Sequence, residues 1–177
     1  MIEFMCKRGR DENDFSLGEN AVHIDKADEE LQKISFRFFY FFSRFEFALK
    51  ENKYLKRYNP GETAEASWGK FVESFKDSYQ ISPYAQGLID LRVKKQVVDK
   101  SGDIVWKVIN LDGTQSDLEK VKIALNGLRN NLFHGGKHGD QEVDDVARNK
   151  DLLKTAVEVL IELAEFSGLD NDLRREY

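Results

Sequence analysis

The chain is poor in the residues that build disulfide scaffolds, long linkers and membrane spans. Its 177 residues include one cysteine, Cys6, so no disulfide framework can form and the expected setting is a reducing cytosol. Two prolines in the whole length argue against an extended linker between domains. No apolar run approaches the roughly 20 residues that cross a bilayer, and the N-terminus lacks an apolar signal segment, so no membrane partner is expected. Ile2 and Phe4 beside Lys7, Arg8 and Arg10 are too short for targeting and read as a loose tail. Basic residues are not in excess. A net charge of −5 excludes a surface coated for duplex binding and confines any nucleic-acid contact to a local cleft. A glycine-rich phosphate loop is missing too, as is any cysteine-based zinc spacing, so no cofactor and no metal is expected.

What the chain does have is a core-forming composition, 41% hydrophobic and 12% aromatic, in a length that suits one domain. Residues 1–23 read as an extended arm and 24–177 as a single helical domain. A long helix is expected from near Asp25 to about Lys56, with Asp28, Glu29 and Glu30 favouring its positive end. Leu31, Ile34, Phe38, Phe41, Phe45 and Leu49 form its main stripe. Phe36, Phe39, Phe42 and Phe47 fall outside that stripe, and one buried face cannot hold them all. Either the helix is surrounded by neighbours, or its second face is a dimer interface. Arg37 and Arg44, seven apart on one face, suit a solvated or ion-paired strip; if this helix builds a dimer, Arg44 faces the cleft and binds substrate.

Tyr58-Asn59-Pro60-Gly61 marks a turn. A second helix is expected over Thr63–Tyr79 with Trp68, Phe71, Val72, Phe75 and Tyr79 inward. Pro83 breaks the pattern before a short helix or turn at Tyr84–Leu91. The period then changes: β-branched and aromatic runs at Gln96–Asp99 and Asp103–Val108 flank Lys100-Ser101-Gly102 and predict a β-hairpin rather than a further helix. A last helix, with Leu153, Ala156, Leu160 and Leu163 on its stripe, should end at Ser167-Gly168. The fold class is all-α, a bundle of four principal helices with a small inserted β-hairpin.

Between hairpin and last helix lies the most informative segment. Leu118, Val121, Leu125, Leu128 and Leu132 give one buried stripe on a helix that Ser116 or Thr114 caps, Glu119 being placed for a capping box with Ser116. Arg129-Asn130-Asn131-Leu132-Phe133-His134 ends that helix, and Gly135-Gly136 follow. Asn130 and His134, four apart, share a face, with Arg129 close enough for both long side chains to reach one phosphate. An imidazole that titrates at about 6.5 can move protons at working pH. A guanidinium beside it can grip two phosphate oxygens and meet the charge of a pentacoordinate phosphorus. Asn130 can orient the imidazole or the substrate. The bland readings are a histidine meeting the helix dipole and an arginine in a surface ion pair. Phe133 is expected to pack on the core rather than stack on a base. Lys137, His138 and Asp140 sit in a glycine-rich loop, with Lys137 the candidate to touch an RNA backbone; a metal held by His134, His138 and Asp140 or Glu142 matches no zinc pattern.

The Arg129–His134 pattern resembles that of the HEPN superfamily, in which Arg, usually followed by a polar residue, precedes His by four to six intervening residues. Phe42–Lys50 is similar to part of the first long helix of several such families, and the resemblance spans about Asp25 to Ser167. It implies a metal-independent endoribonuclease in which a two-fold homodimer brings two Arg–His pairs into one cleft, so that one histidine need not be both acid and base. It also implies RNA as substrate, a toxin–antitoxin or anti-phage setting, and an antitoxin or other regulatory protein as partner. One departure is plain. HEPN toxins paired with a nucleotidyltransferase carry a Tyr two residues after the His, where this chain has Gly136, so neutralisation by that route is not expected. The alternative is a non-catalytic RNA-binding or protein-interaction module; weaker still is a helical accessory subunit that docks a larger partner through its aromatic surface.

Overall fold

Asp28 accepts a hydrogen bond from the Leu31 amide at 2.7 Å, which caps the first helix. That amide, together with Lys150, holds the Asp28 carboxyl below the usual carboxylate range. The computed structural model describes residues 28–114, 116–133 and 145–174. The expected N-terminal arm therefore lies outside the described residues, as do His134 and Lys137.

Helix α1 (Glu29–Glu51) buries Ile34, Phe38, Phe42, Phe45, Ala48 and Leu49, while Leu31 and Phe41 are half-buried. The chain then turns back through Lys53 in the left-handed region (φ 65°) and pairs Leu55 with Ala66 in an isolated antiparallel bridge. That bridge shortens the second helix. Residues 63–66 are held extended by bonds from the Lys56 amide to the Glu65 carbonyl and from the Ser67 amide to the Tyr54 carbonyl. Helix α2 is consequently confined to Trp68–Phe75, capped by Ser67. The short helix expected at Tyr84–Leu91 is α3 (Pro83–Asp90): Pro83 is its first residue, where its missing amide costs nothing, and Ser82 caps it.

Strands β1 (Lys94–Val98) and β2 (Ile104–Val108) form the expected antiparallel hairpin, with Gln96 opposite Trp106. Asp99 Oδ1 accepts from the Ser101 and Asp103 amides at its turn, where Gly102 takes φ 93°. Helices α4 (Asp117–Phe133), α5 (Val146–Ser167) and the short α6 (Asp170–Arg174) complete the order. Gly168 ends α5 in the left-handed conformation, φ 71°, as its position predicts. The described chain is thus mostly helical with one two-stranded sheet, and its long helices are three, α1, α4 and α5. No described helix is long and apolar enough to cross a membrane.

Helix α5 runs through the middle, buried on two faces, with α1 on one side and α3 on the other. An aromatic cluster fills the space between α1 and α2: Phe45 stacks on Trp68 at 4.8 Å and meets Phe71 edge-on at 5.4 Å. Helix α4 closes the core from the hairpin side, and there Gly127 matters. A Cβ on it would lie 2.5 Å from Ile109 Cδ1 and 3.2 Å from Val93 Cγ1, so the residues flanking the hairpin press directly on the helix backbone. Gly127→Val should destabilise the protein by about 1–3 kcal/mol through overpacking, seen as a lower urea midpoint at unchanged slope; an unshifted midpoint would mean that the contact yields freely.

Candidate functional site

The end of α4 takes its orientation from both of its termini. Ser116 Oγ accepts from the Glu119 amide at 3.2 Å, the expected cap, while the Glu119 carboxylate pairs with Lys122 instead of reaching back to complete a box. Leu118, Val121, Leu125 and Leu128 are buried and Leu132 is half-buried, as the stripe predicts. With that face turned inward, Arg129 and Asn130 emerge on the other side. Arg129 Nη1 donates to Asn130 Oδ1 at 3.1 Å, and its guanidinium carbon lies 4.8 Å above the Phe133 ring. No carboxylate pairs with Arg129 among the described residues. Asn130 thus braces the arginine. His134 falls just beyond the described residues, as do Lys137, His138, Asp140 and Glu142.

Two expectations are corrected. Phe133 does not pack in the core: it is 53% exposed, its ring 5.3 Å from that of Phe39. Arg44 does not line a cleft either. It is only 2% exposed, donating from Nε to the Leu173 carbonyl at 3.3 Å and from Nη2 to the Asp172 carbonyl at 2.5 Å, with its guanidinium over Phe47. Helix α6 is short and would not persist alone; Arg44 satisfies its last carbonyls and ties it to α1.

The residues that α1 does present to Arg129 are Ser43, Glu46 and Lys50. They continue the line of Phe36 and Phe39 at spacings of three, four, three and four, so one face of α1 runs from apolar to polar. Helix α4 runs antiparallel to it: Phe133 meets Phe39 at the apolar end, and Arg129 joins Ser43, Glu46 and Lys50 at the polar end. Around the apolar end, Ser35, Phe36, Phe39, Leu132 and Phe133 line a shallow hollow of about 370 Å³. Phe36 is 69% and Phe39 44% exposed. The polar end is a groove of about 400 Å³ that also takes in Lys56, Ala64, Glu65 and Ala66. Glu46 Oε1 accepts from Trp68 Nε1 at 3.2 Å, and Lys56 pairs with Glu65 at 2.7 Å. A 3-4 spacing starting at Phe36 is the signal that could have found Lys50, but phenylalanines next to lysine do not suggest one functional face.

Asn131 was also missed. It points inward and donates from Nδ2 to the Lys94 carbonyl at 2.7 Å, fastening β1 to the last turn of α4. A separate hollow of about 490 Å³ lies between α3, the hairpin base and α4; Asp90, Arg92 and Asp112 line it, and none of the motif residues does.

No protein-family model, curated protein or solved structure matches the chain.

The burial of Arg44 makes a specific prediction. Arg44→Met leaves the Asp172 and Leu173 carbonyls short of donors and should lower stability by about 1–3 kcal/mol, measured by urea unfolding, while RNA binding by the folded protein stays at the wild-type level. Lost RNA affinity at undiminished stability would mean that the arginine reaches the substrate after all.

Proposed function

We propose that the chain is a metal-independent endoribonuclease of HEPN-like type, acting as a two-fold homodimer in which Arg129 and His134 of both copies share one cleft. The observation that supports it is the condition of Arg129: half-exposed, braced by Asn130 and Phe133, and in no ion pair with a described carboxylate, although Glu46 and Glu65 line the same groove. An arginine kept only for surface solubility gains nothing from being held this way. One prepared for a phosphate does, because less side-chain freedom is lost on binding.

The chemistry needs little else. A ribose 2′-hydroxyl attacks the adjacent phosphorus in line and the bond to the 5′-oxygen breaks, leaving a 2′,3′-cyclic phosphate and a 5′-hydroxyl. One His134 takes the proton from the attacking oxygen, the other copy's His134 protonates the leaving oxygen, and Arg129 neutralises charge on the phosphoryl oxygens. No step calls for a metal. Asn130 acts by positioning Arg129.

Dimerisation is supported by the aromatic end of the α1–α4 face. Phe36, Phe39 and Phe133 form an exposed apolar patch beside Arg129, and an isologous contact through it would draw two copies of the motif together. The four-helix arrangement belongs to the same proposal, with a shorter α3, packed on α4 and α5, as the fourth helix. A toxin or anti-phage role, with a regulatory protein that masks the cleft, follows from the resemblance, though Gly136 removes the tyrosine that one class of regulator modifies. The exposed phenylalanines would equally suit a non-catalytic module docking another protein, and the variants below separate the two.

In EDTA, wild-type protein should cut RNA and leave a 2′-deoxy linkage intact. Arg129→Ala and His134→Ala should each lower kcat by about 10²–10³-fold, the size of a lost charge-stabilising or proton-transferring group, with RNA still bound; equal turnover in all three proteins would favour the module. Phe39→Asp places a charge in the proposed seam. It should convert a dimer into monomers by light scattering and abolish cutting together with assembly, whereas an active monomer would refute the shared cleft.

A further inference from the structure

We propose that the groove between α1 and the 56–66 segment, closed at one end by Arg129 of α4, is a one-nucleotide subsite, in which Lys50 binds a phosphate of the RNA strand and Glu46 reads the base. This rests on the ribonuclease reading above and extends it to a substrate preference. The groove opens beside Arg129, and its volume of about 400 Å³ lies in the range of small-ligand sites. Its two lysines differ. Lys56 is held by Glu65, whereas Lys50, half-buried, has no ion partner among the described residues.

Glu46 sharpens the assignment. A carboxylate beside Lys50 and Arg129 would repel a phosphate lying on it, so the strand must present something else there. The Trp68 indole N–H occupies Glu46 Oε1, leaving Oε2 as an acceptor with no donor among the described residues. The group that satisfies it is an exocyclic amine. Cytosine offers one where uracil offers a carbonyl oxygen, which a carboxylate rejects. The subsite therefore takes an amino-bearing base in preference to uracil.

Binding of uncleavable 2′-O-methyl oligocytidine and oligouridine to the full chain, followed by fluorescence anisotropy across a salt series, tests this. Wild type should favour oligocytidine by about tenfold, the low end for one base contact. Lys50→Gln should weaken both oligomers alike and reduce the slope of log affinity against log salt by about 1, and Lys50→Arg should restore it. A lysine serving only the negative end of α1 would change the melting temperature and leave that slope unaltered. Glu46→Gln keeps an acceptor for Trp68 and can turn its amide NH₂ toward the base, so preference should shift to oligouridine. Cutting of all-RNA substrate is scored separately. If wild type cuts RNA but both variants bind as wild type does, the subsite is wrong and the ribonuclease stands. If the oligomers behave as expected and RNA stays whole, the subsite stands and the ribonuclease falls. If wild type binds neither oligomer, the subsite falls, and the ribonuclease stands or falls on the cutting assay alone.

Discussion

Helix α1 carries more aromatic surface than one neighbour can cover, and the way that excess is divided shapes the molecule. Phe38 and Phe45 go inward, where α2 and α5 enclose them; Phe36 and Phe39 stay out, and α4 comes alongside. Burying the outward pair would need another element where the motif helix runs. The same helix is therefore a core member on one side and a wall of the candidate site on the other. The Phe39–Phe133 contact is the hinge between those roles, because it carries Arg129 on its far side.

Periodicity made much of this readable. The stripes of α1, α4 and α5, the Ser116 cap, the Gly168 stop and the hairpin turn all follow from local rules, since each depends on residues a few positions apart. The failures come from distant partners. Thr63–Ala66 has helix-compatible residues, yet strand-like pairing with Leu55 and Lys56 holds it extended. Arg44 looks like a surface cation until the carbonyls of α6, more than a hundred residues later, are known to meet it. A helix of five residues such as α6 has no periodic signal of its own, and its burial through Leu173 is purely tertiary.

The site was legible in a similar proportion. Arg129 and Asn130 stand together at the exposed end of the motif helix, where the spacing of the buried stripe puts them. The contribution of α1 was harder to read, because the face that joins Arg129 changes character midway, from phenylalanine to serine, glutamate and lysine. Patterns of hydrophobicity describe a face by its average, and a face half greasy and half polar has none worth naming. Its two halves nonetheless suit adjacent tasks, one excluding water and the other meeting charge.

Fastening the hairpin through Asn131 has a consequence for how such a chain can diverge. The acceptor is the main-chain oxygen of residue 94, which any amino acid supplies. Drift can rewrite the strand's side chains, even its length beyond the turn, while the last turn of the motif helix keeps its brace. Only the asparagine is held to account, so a lineage built this way would retain Asn131 while the hairpin it fastens loses all likeness to its ancestors.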